Sequence, residues 1–372
     1  MGEADKDTRG SFSLNSGIHH TRLKTSITAL GLLASIAAVL LVGCVSPPIT
    51  IPAFPNASVP LSDSLHRDDD KICVVDARAC CRTAGDFTPE QLSFSRIGTA
   101  KGELEHSSLG VLTAETDLTV PICILVHGYG FDMERSVEDA RWAISRIRRA
   151  AGDQPVRFVL FHWPSELEHT IPWPLLPRDI RLKGNRADVA GHYLAWLIDQ
   201  LPPHQPICIV GHSLGCRVAA CALHLLGGGE AMLAGFSSGD GADRPINAVF
   251  VAAAIDHDWL CPGERYGAST SVAEDILVLT NSKDSSLRWY PLLKTRPGGS
   301  LGRSGVSPED MRKLKAVGNR VRVVSIEDEV GSNHNFRNYM ESESVAKLIV
   351  SALQPYSEGV TSPRSVVHWQ AR

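Results

Sequence analysis

The chain has 372 residues, 43% hydrophobic and 21% charged, with a formal net charge of −4. That composition is ordinary for a globular protein and excludes a disordered or fibrous chain. The near-balanced charge leaves no electrostatic footprint for nucleic acid, and none is expected as a partner.

The N-terminus reads as a leader, not as part of the fold. Residues 1–24 are polar and aperiodic, and residues 25–42 then run without a charge. Such a run is a signal-peptide apolar region or a membrane span of barely sufficient length. It ends in Leu41-Val42-Gly43-Cys44, which resembles the bacterial lipobox. The resemblance implies removal of residues 1–43 and lipidation of Cys44. The product would be a lipoprotein anchored in the bacterial cell envelope, facing the periplasm or exterior; a retained transmembrane helix is the alternative. Residues 44–70 are Pro-rich, end in Asp68-Asp69-Asp70, and read as an extended tether reaching on the order of 80 Å. A single folded body is expected over residues 71–356, with a tail over 357–372.

Cysteine use fits export. Setting Cys44 aside leaves eight of the nine cysteines, an even number compatible with disulfides. Cys73, Cys80 and Cys81 cluster at the start of the body, where one bridge is expected. Cys123, Cys208, Cys216 and Cys221 fall in apolar strand or helix positions and read as small buried hydrophobes. No Cys-x-x-Cys or His-x-x-His spacing occurs, so neither a metal nor a cofactor is expected.

Within the body, short apolar runs at 122–126, 156–161, 207–210, 248–253, 276–279 and 321–325 read as strands. Helical stretches are expected around 137–150 and 187–200, and again after Ser213. Strands without alternating polarity, separated by helices, predict a mostly parallel sheet with helices on both faces. Segments 94–97 and 110–113 are expected as antiparallel edge strands.

The chemistry-bearing residues follow in chain order. The first central strand runs into Val126-His127-Gly128-Tyr129-Gly130, a loop whose glycines permit a tight turn. His127 reads as a structural hydrogen-bonder beneath this loop. Next, Gly211-His212-Ser213-Leu214-Gly215 joins the run Pro206-Ile207-Cys208-Ile209-Val210 to a helical stretch. A serine between two glycines at a strand-to-helix corner is the nucleophile elbow of an α/β-hydrolase fold, which is the fold class expected here. The helix N-terminus then lies under the hydroxyl, where its amides favour developing negative charge. Oxyanion donors are accordingly expected from the backbone N–H of Tyr129 and of Leu214. His212 reads as packing beside the elbow.

The base and its acid should follow the serine. Asp284 lies on the loop after strand 276–279, and His334 on the loop after strand 321–325; both fall at the C-terminal edge of the sheet with Ser213. Asp256, after strand 248–253, is the alternative acid, and Asp258 a weaker one. The expected roles are Ser213 as nucleophile, His334 as base and Asp284 as the carboxylate that orients it.

Together, Val126-His127-Gly128-Tyr129, Phe161-His162-Trp163-Pro164-Ser165, Gly211-His212-Ser213-Leu214-Gly215, Ala252-Ala253-Ala254-Ile255-Asp256 and Asn281-Ser282-Lys283-Asp284 resemble a bacterial α/β-hydrolase family of largely unknown function, usually described as esterase- or lipase-like. The resemblance spans roughly residues 120–350. It departs from the family pattern at Gly130, where the family has Asn, and at Leu214, where it has Met. It implies a serine hydrolase of small-molecule ester or lipid substrates, and names no substrate. Trp163-Pro164-Ser165, its most distinctive part, is expected to shape the pocket, with packing alone as the other reading of Trp163. Three insertions, 166–186, 227–244 and 287–320, are expected to carry selectivity, the first as a lid, an acyl-chain wall or an ordinary surface loop. The same machinery serves a thioesterase, acyltransferase or peptidase; a catalytically inactive envelope-binding protein is the reading from a different class.

Overall fold

The central strands form because their residues are apolar, β-branched and buried on both faces. In the computed structural model, β4 (Ile122–Val126), β6 (Ile207–His212) and β7 (Ile246–Val251) are buried at every position. The structure describes residues 72–81, 85–97, 103–114, 117–167, 176–239, 244–293, 298–318 and 320–354. The leader, Cys44, the tether and the C-terminal tail lie outside them. Among the described residues no helix is long and apolar enough to cross a membrane.

Among the described residues nine strands make one sheet, in the order β3-β2-β1-β5-β4-β6-β7-β8-β9. The remaining strands are β1 (Cys73–Asp76), β2 (Ser93–Ile97), β3 (Leu104–His106), β5 (Arg157–His162), β8 (Ala273–Thr280) and β9 (Val321–Ser325). Strand β2 pairs antiparallel with both β1 and β3, and every other pairing is parallel. The order reverses around β4: the chain steps from it to β5 on one side and later reaches β6 on the other. Loops leaving the C-terminal ends of β4 and β6 therefore diverge and leave a crevice, where ligands of such sheets gather.

The helices used below are α1 (Leu109–Thr113), α2 (Met133–Ala151), α3 (Leu176–Gln200), α4 (Gly215–Leu226), α5 (Ser269–Val272), α6 (Leu301–Ser304), α7 (Pro308–Ala316), α8 (Glu327–Val330), α9 (Phe336–Glu341) and α10 (Glu343–Ala352). On one face α2 packs with α9 and α10; on the other α4 packs between α3 and α5. Both faces are thus covered, which is why the strands read as continuous apolar runs.

Three expectations change. Residues 110–113 form the helical turn α1, whose Leu112 is buried and whose carbonyl accepts a 2.6 Å bond from Arg157 Nη2. The edge is built instead by β1 and β3, beside β2. Helix α3 begins at Leu176 and not near 187, because Pro177 is tolerated in a first turn and Gly184 is a seat, not a break. A β-carbon there would stand 2.5 Å from Arg217 Nη1. Finally, no bridge joins Cys73, Cys80 and Cys81: among the described residues all eight cysteines are free and buried. The Cys80 and Cys81 sulfurs are 3.9 Å apart, against about 2 Å for a disulfide. Burial pushes the Cys73 thiol up to about 11 and the Cys123 thiol up to about 12, which makes both poor nucleophiles.

Candidate active site

Ser213 sits between β6 and α4 with φ of 52°, a left-handed conformation that costs a non-glycine residue about 1–3 kcal/mol. The surroundings hold it there: Ser213 N–H donates to Val251 O at 2.9 Å, and Ser213 O accepts from Ala254 and Cys216 N–H. The flanking glycines are required by proximity. A β-carbon on Gly215 would stand 2.2 Å from Val126 O, and one on Gly211 2.8 Å from Cys216 Cα. Any side chain at either position would push α4 off the sheet.

Three expected residues converge. Ser213 Oγ lies 3.0 Å from His334 Nε2, and His334 Nδ1 lies 2.8 Å from Asp284 Oδ2. The carboxylate accepts a hydrogen bond from Nδ1–H, which leaves Nε2 as the acceptor for the serine hydroxyl. Asp284 is fully buried yet well satisfied. Its Oδ1 accepts from Ser286 N–H at 2.9 Å and Leu287 N–H at 2.8 Å, and its Oδ2 also accepts from Tyr339 Oη at 3.2 Å. Burial alone would raise its pKa; the His334 imidazole, the Leu287 amide and the Tyr339 hydroxyl outweigh it and hold the carboxyl below its ordinary value.

Asp256 does not reach His334. It accepts a 2.7 Å bond from Tyr290 Oη and lines the cavity that opens beside the elbow. Of the three acids left open by the sequence, the geometry brings Asp284 to the imidazole and places Asp256 in the pocket wall.

The loop after β4 lies against the serine: a β-carbon on Gly128 would be 3.2 Å from Ser213 Cβ. Gly128, the residue before Tyr129, thus packs against Ser213, while Leu214, the N-cap of α4, follows Ser213 directly. The Tyr129 side chain points elsewhere, donating to Asp179 Oδ2 at 2.6 Å. His127 lies beneath the loop. Its Nε2 accepts from Trp163 N–H at 3.2 Å, and its Nδ1–H donates to Gly128 O at 3.0 Å. Burial, the main cause, and neighbouring His162 hold it neutral, with its pKa well below the ordinary value.

Trp163-Pro164-Ser165 has a different role from the expected one. Trp163 is fully buried and donates from Nε1 to His127 O at 2.9 Å. Ser165 O accepts from Gly130 N–H at 2.9 Å, and Ser165 Oγ accepts from Phe131 N–H at 3.2 Å. The motif braces the 127–131 loop from behind and is absent from the cavity wall.

His212 supports the other side. Its Nε2–H donates to His334 O at 2.8 Å, and its ring packs against Phe336. Burial first, and then His334, push its pKa down to about 3. The sequence reading missed Tyr339 and also Asn281, whose Nδ2 donates to Gly331 O at 2.7 Å and ties the two loops that carry Asp284 and His334. A tyrosine on the helix after His334 was the only available signal, and its register could not be read without the loop geometry.

Beside the elbow opens a cavity of about 880 Å³, lined among others by Leu214, Arg217, Ala254, Asp256, Trp259 and Tyr290. Each insertion reaches this cavity: Ile180 and Arg181 come from the first, Glu230 from the second and Tyr290 from the third. Residues 168–175 of the first lie outside the described ones. Behind the wall, Asp188 of α3 binds Arg217, Arg265 and the Tyr266 hydroxyl. Burial would raise the Asp188 carboxyl, but these partners more than offset it and hold it below the ordinary range.

No protein-family model matches the chain, and no curated protein matches its sequence. Solved structures are similar at low identity. Carboxyl esterase 2 from the mycorrhizal fungus Tuber melanosporum is 12% identical with a TM-score of 0.40, over 87% of this chain and 98% of that one. A bacterial heroin esterase is 13% identical with a TM-score of 0.38, over 76% and 83%. Esterase B from Lactobacillus rhamnosis is 10% identical with a TM-score of 0.36, over 91% and 96%. These values carry no argument about activity. The sheet order, the crevice at β4 and the strained serine at the β6–α4 corner define the fold on their own: it is that of the α/β hydrolases.

Proposed function

We propose that the chain is a serine hydrolase of carboxylic esters that works through an acyl-enzyme. The observation that carries this reading is the unbroken hydrogen-bond chain from Ser213 through His334 to Asp284, with the serine held strained at the elbow. Ser213 Oγ attacks the acyl carbonyl carbon while its proton passes to His334 Nε2. The carbonyl oxygen, now negative, is received by the N–H groups of Tyr129 and Leu214. Collapse expels the alcohol, which takes the proton from His334, and a water activated by the same imidazole releases the acid. Asp284 keeps the imidazole in one tautomer and balances its transient charge.

The complete chain of three side chains favours this over a catalytically inactive binding protein. The lipobox-like Leu41-Val42-Gly43-Cys44 supports placement in a bacterial envelope through a lipid on Cys44; mass measurement of the N-terminal peptide tests that separately. The activity is tested by steady-state hydrolysis of p-nitrophenyl acetate. Ser213→Ala and His334→Ala are each expected to lose at least ~10³-fold in kcat. Wild-type rates in a folded Ser213→Ala protein would overturn the reading.

A further inference from the structure

The 880 Å³ cavity starts at Leu214 and Ala254, next to Ser213, and follows α4 past Arg217 to His224. Ten residues of helix span roughly 15 Å. A substrate reacting at the elbow therefore lays its remaining part along this wall.

The wall carries charge of both signs. Arg181, Arg217 and Arg265 line it together with Glu230, Asp256 and Glu264. Arg217 and Arg265 also pair with Asp188 behind the wall, so positive charge is not in surplus. Tyr290 and Trp259 add aromatic surface, the Trp259 ring lying under the Arg217 and Arg265 guanidiniums.

Three ligand chemistries can be weighed against this lining. A fatty acyl chain would strip water from the arginines and carboxylates and return no hydrogen bond. An anionic group would need a surplus of positive charge. Hydroxyl groups both donate and accept, so they answer arginines and carboxylates alike, while the apolar faces of a sugar ring can lie on the aromatic side chains. We propose that the cavity holds the hydroxyl-rich alcohol portion of the ester, making sugar or polyol esters the substrate class. This rests on the serine-hydrolase reading above.

The test compares three substrates on the full chain: p-nitrophenyl acetate, an acetylated monosaccharide and hexyl acetate, which share one acyl group. The expected result is turnover of p-nitrophenyl acetate and a kcat/KM for the sugar ester at least ~10-fold above that for hexyl acetate. Glu264→Leu is expected to narrow that ratio by ~10-fold, since a half-buried acceptor in the cavity wall is exchanged for an apolar group. Turnover of p-nitrophenyl acetate with equal or better use of hexyl acetate overturns the proposal and leaves the hydrolase reading standing. No turnover of any ester, with no labelling of Ser213 by a fluorophosphonate, removes both.

Discussion

Arg337 reaches from α9, one turn beyond His334, to Asp139 on α2 and donates its Nε–H to Asp139 Oδ1. Helix α2 follows the Tyr129 loop directly, so this ion pair ties the loop carrying the base to the loop carrying a proposed oxyanion donor. Burial raises the Asp139 carboxyl, and the guanidinium offsets only part of that. Replacing Arg337 by Met strands a buried carboxylate. The expected cost is about 1–2 kcal/mol, below that of a fully buried pair because the Arg337 side chain is 41% exposed. Urea unfolding measures it. Adding Asp139→Leu should restore much of the stability but not kcat, which separates positioning of His334 from bulk packing.

Asp284 and Asp256 differ in what they touch, and their variants should differ in kcat. Asp284→Asn presents an amide where His334 Nδ1–H now donates, and favours the wrong tautomer; a loss of ~10³–10⁴ in kcat is expected. Asp256→Asn keeps an acceptor for Tyr290 Oη and should cost less than ~10-fold with p-nitrophenyl acetate. Equal losses would count against the assignment of the acid.

Buried imidazoles, three of them around the loops that flank Ser213, make the fold acid-sensitive. Burial is the leading cause that pushes His162 and His212 down to about 3 and His127 well below its ordinary value. In the unfolded chain these groups titrate near ~6.5. As pH falls through that value the unfolded state binds protons that the folded state refuses, so stability declines from about pH 6.5 toward pH 3. His212→Gln retains an amide donor for His334 O and should flatten this decline by about one proton while keeping kcat within ~10-fold. Urea midpoints between pH 7 and pH 4 give the slope; an unchanged slope would refute the neutral-imidazole account.

Gly215→Ala tests the seating of the elbow. The new methyl would meet Val126 O and His127 O, both backbone atoms that cannot swing aside. A stability loss of at least ~1–3 kcal/mol is expected, together with loss of activity as α4 and Leu214 shift away from the 127–131 loop. Circular dichroism melting alongside ester hydrolysis checks both.

The sheet was legible wherever strands are buried on both faces, because β-branched and apolar runs such as 122–126 and 207–210 admit few other readings. The edges were not. Strand β3 is exposed along its length, and residues 110–113 are as apolar in a helical turn as in a strand, so pairing alone decides. The three converging side chains were readable from their positions at strand C-termini. What escaped was support through backbone groups: Trp163-Pro164-Ser165 looked like pocket lining because nothing local shows that its atoms turn toward His127, Gly130 and Phe131. The early start of α3 escaped for a similar reason: Arg217, which packs against Gly184, lies 33 residues away in sequence.

The most direct measurement is fluorophosphonate labelling of the full chain followed by peptide mass spectrometry. The account predicts one adduct, on Ser213, lost in His334→Ala and slowed in Asp284→Asn. A folded protein that takes no label, or is labelled elsewhere with Ser213 untouched, would contradict it.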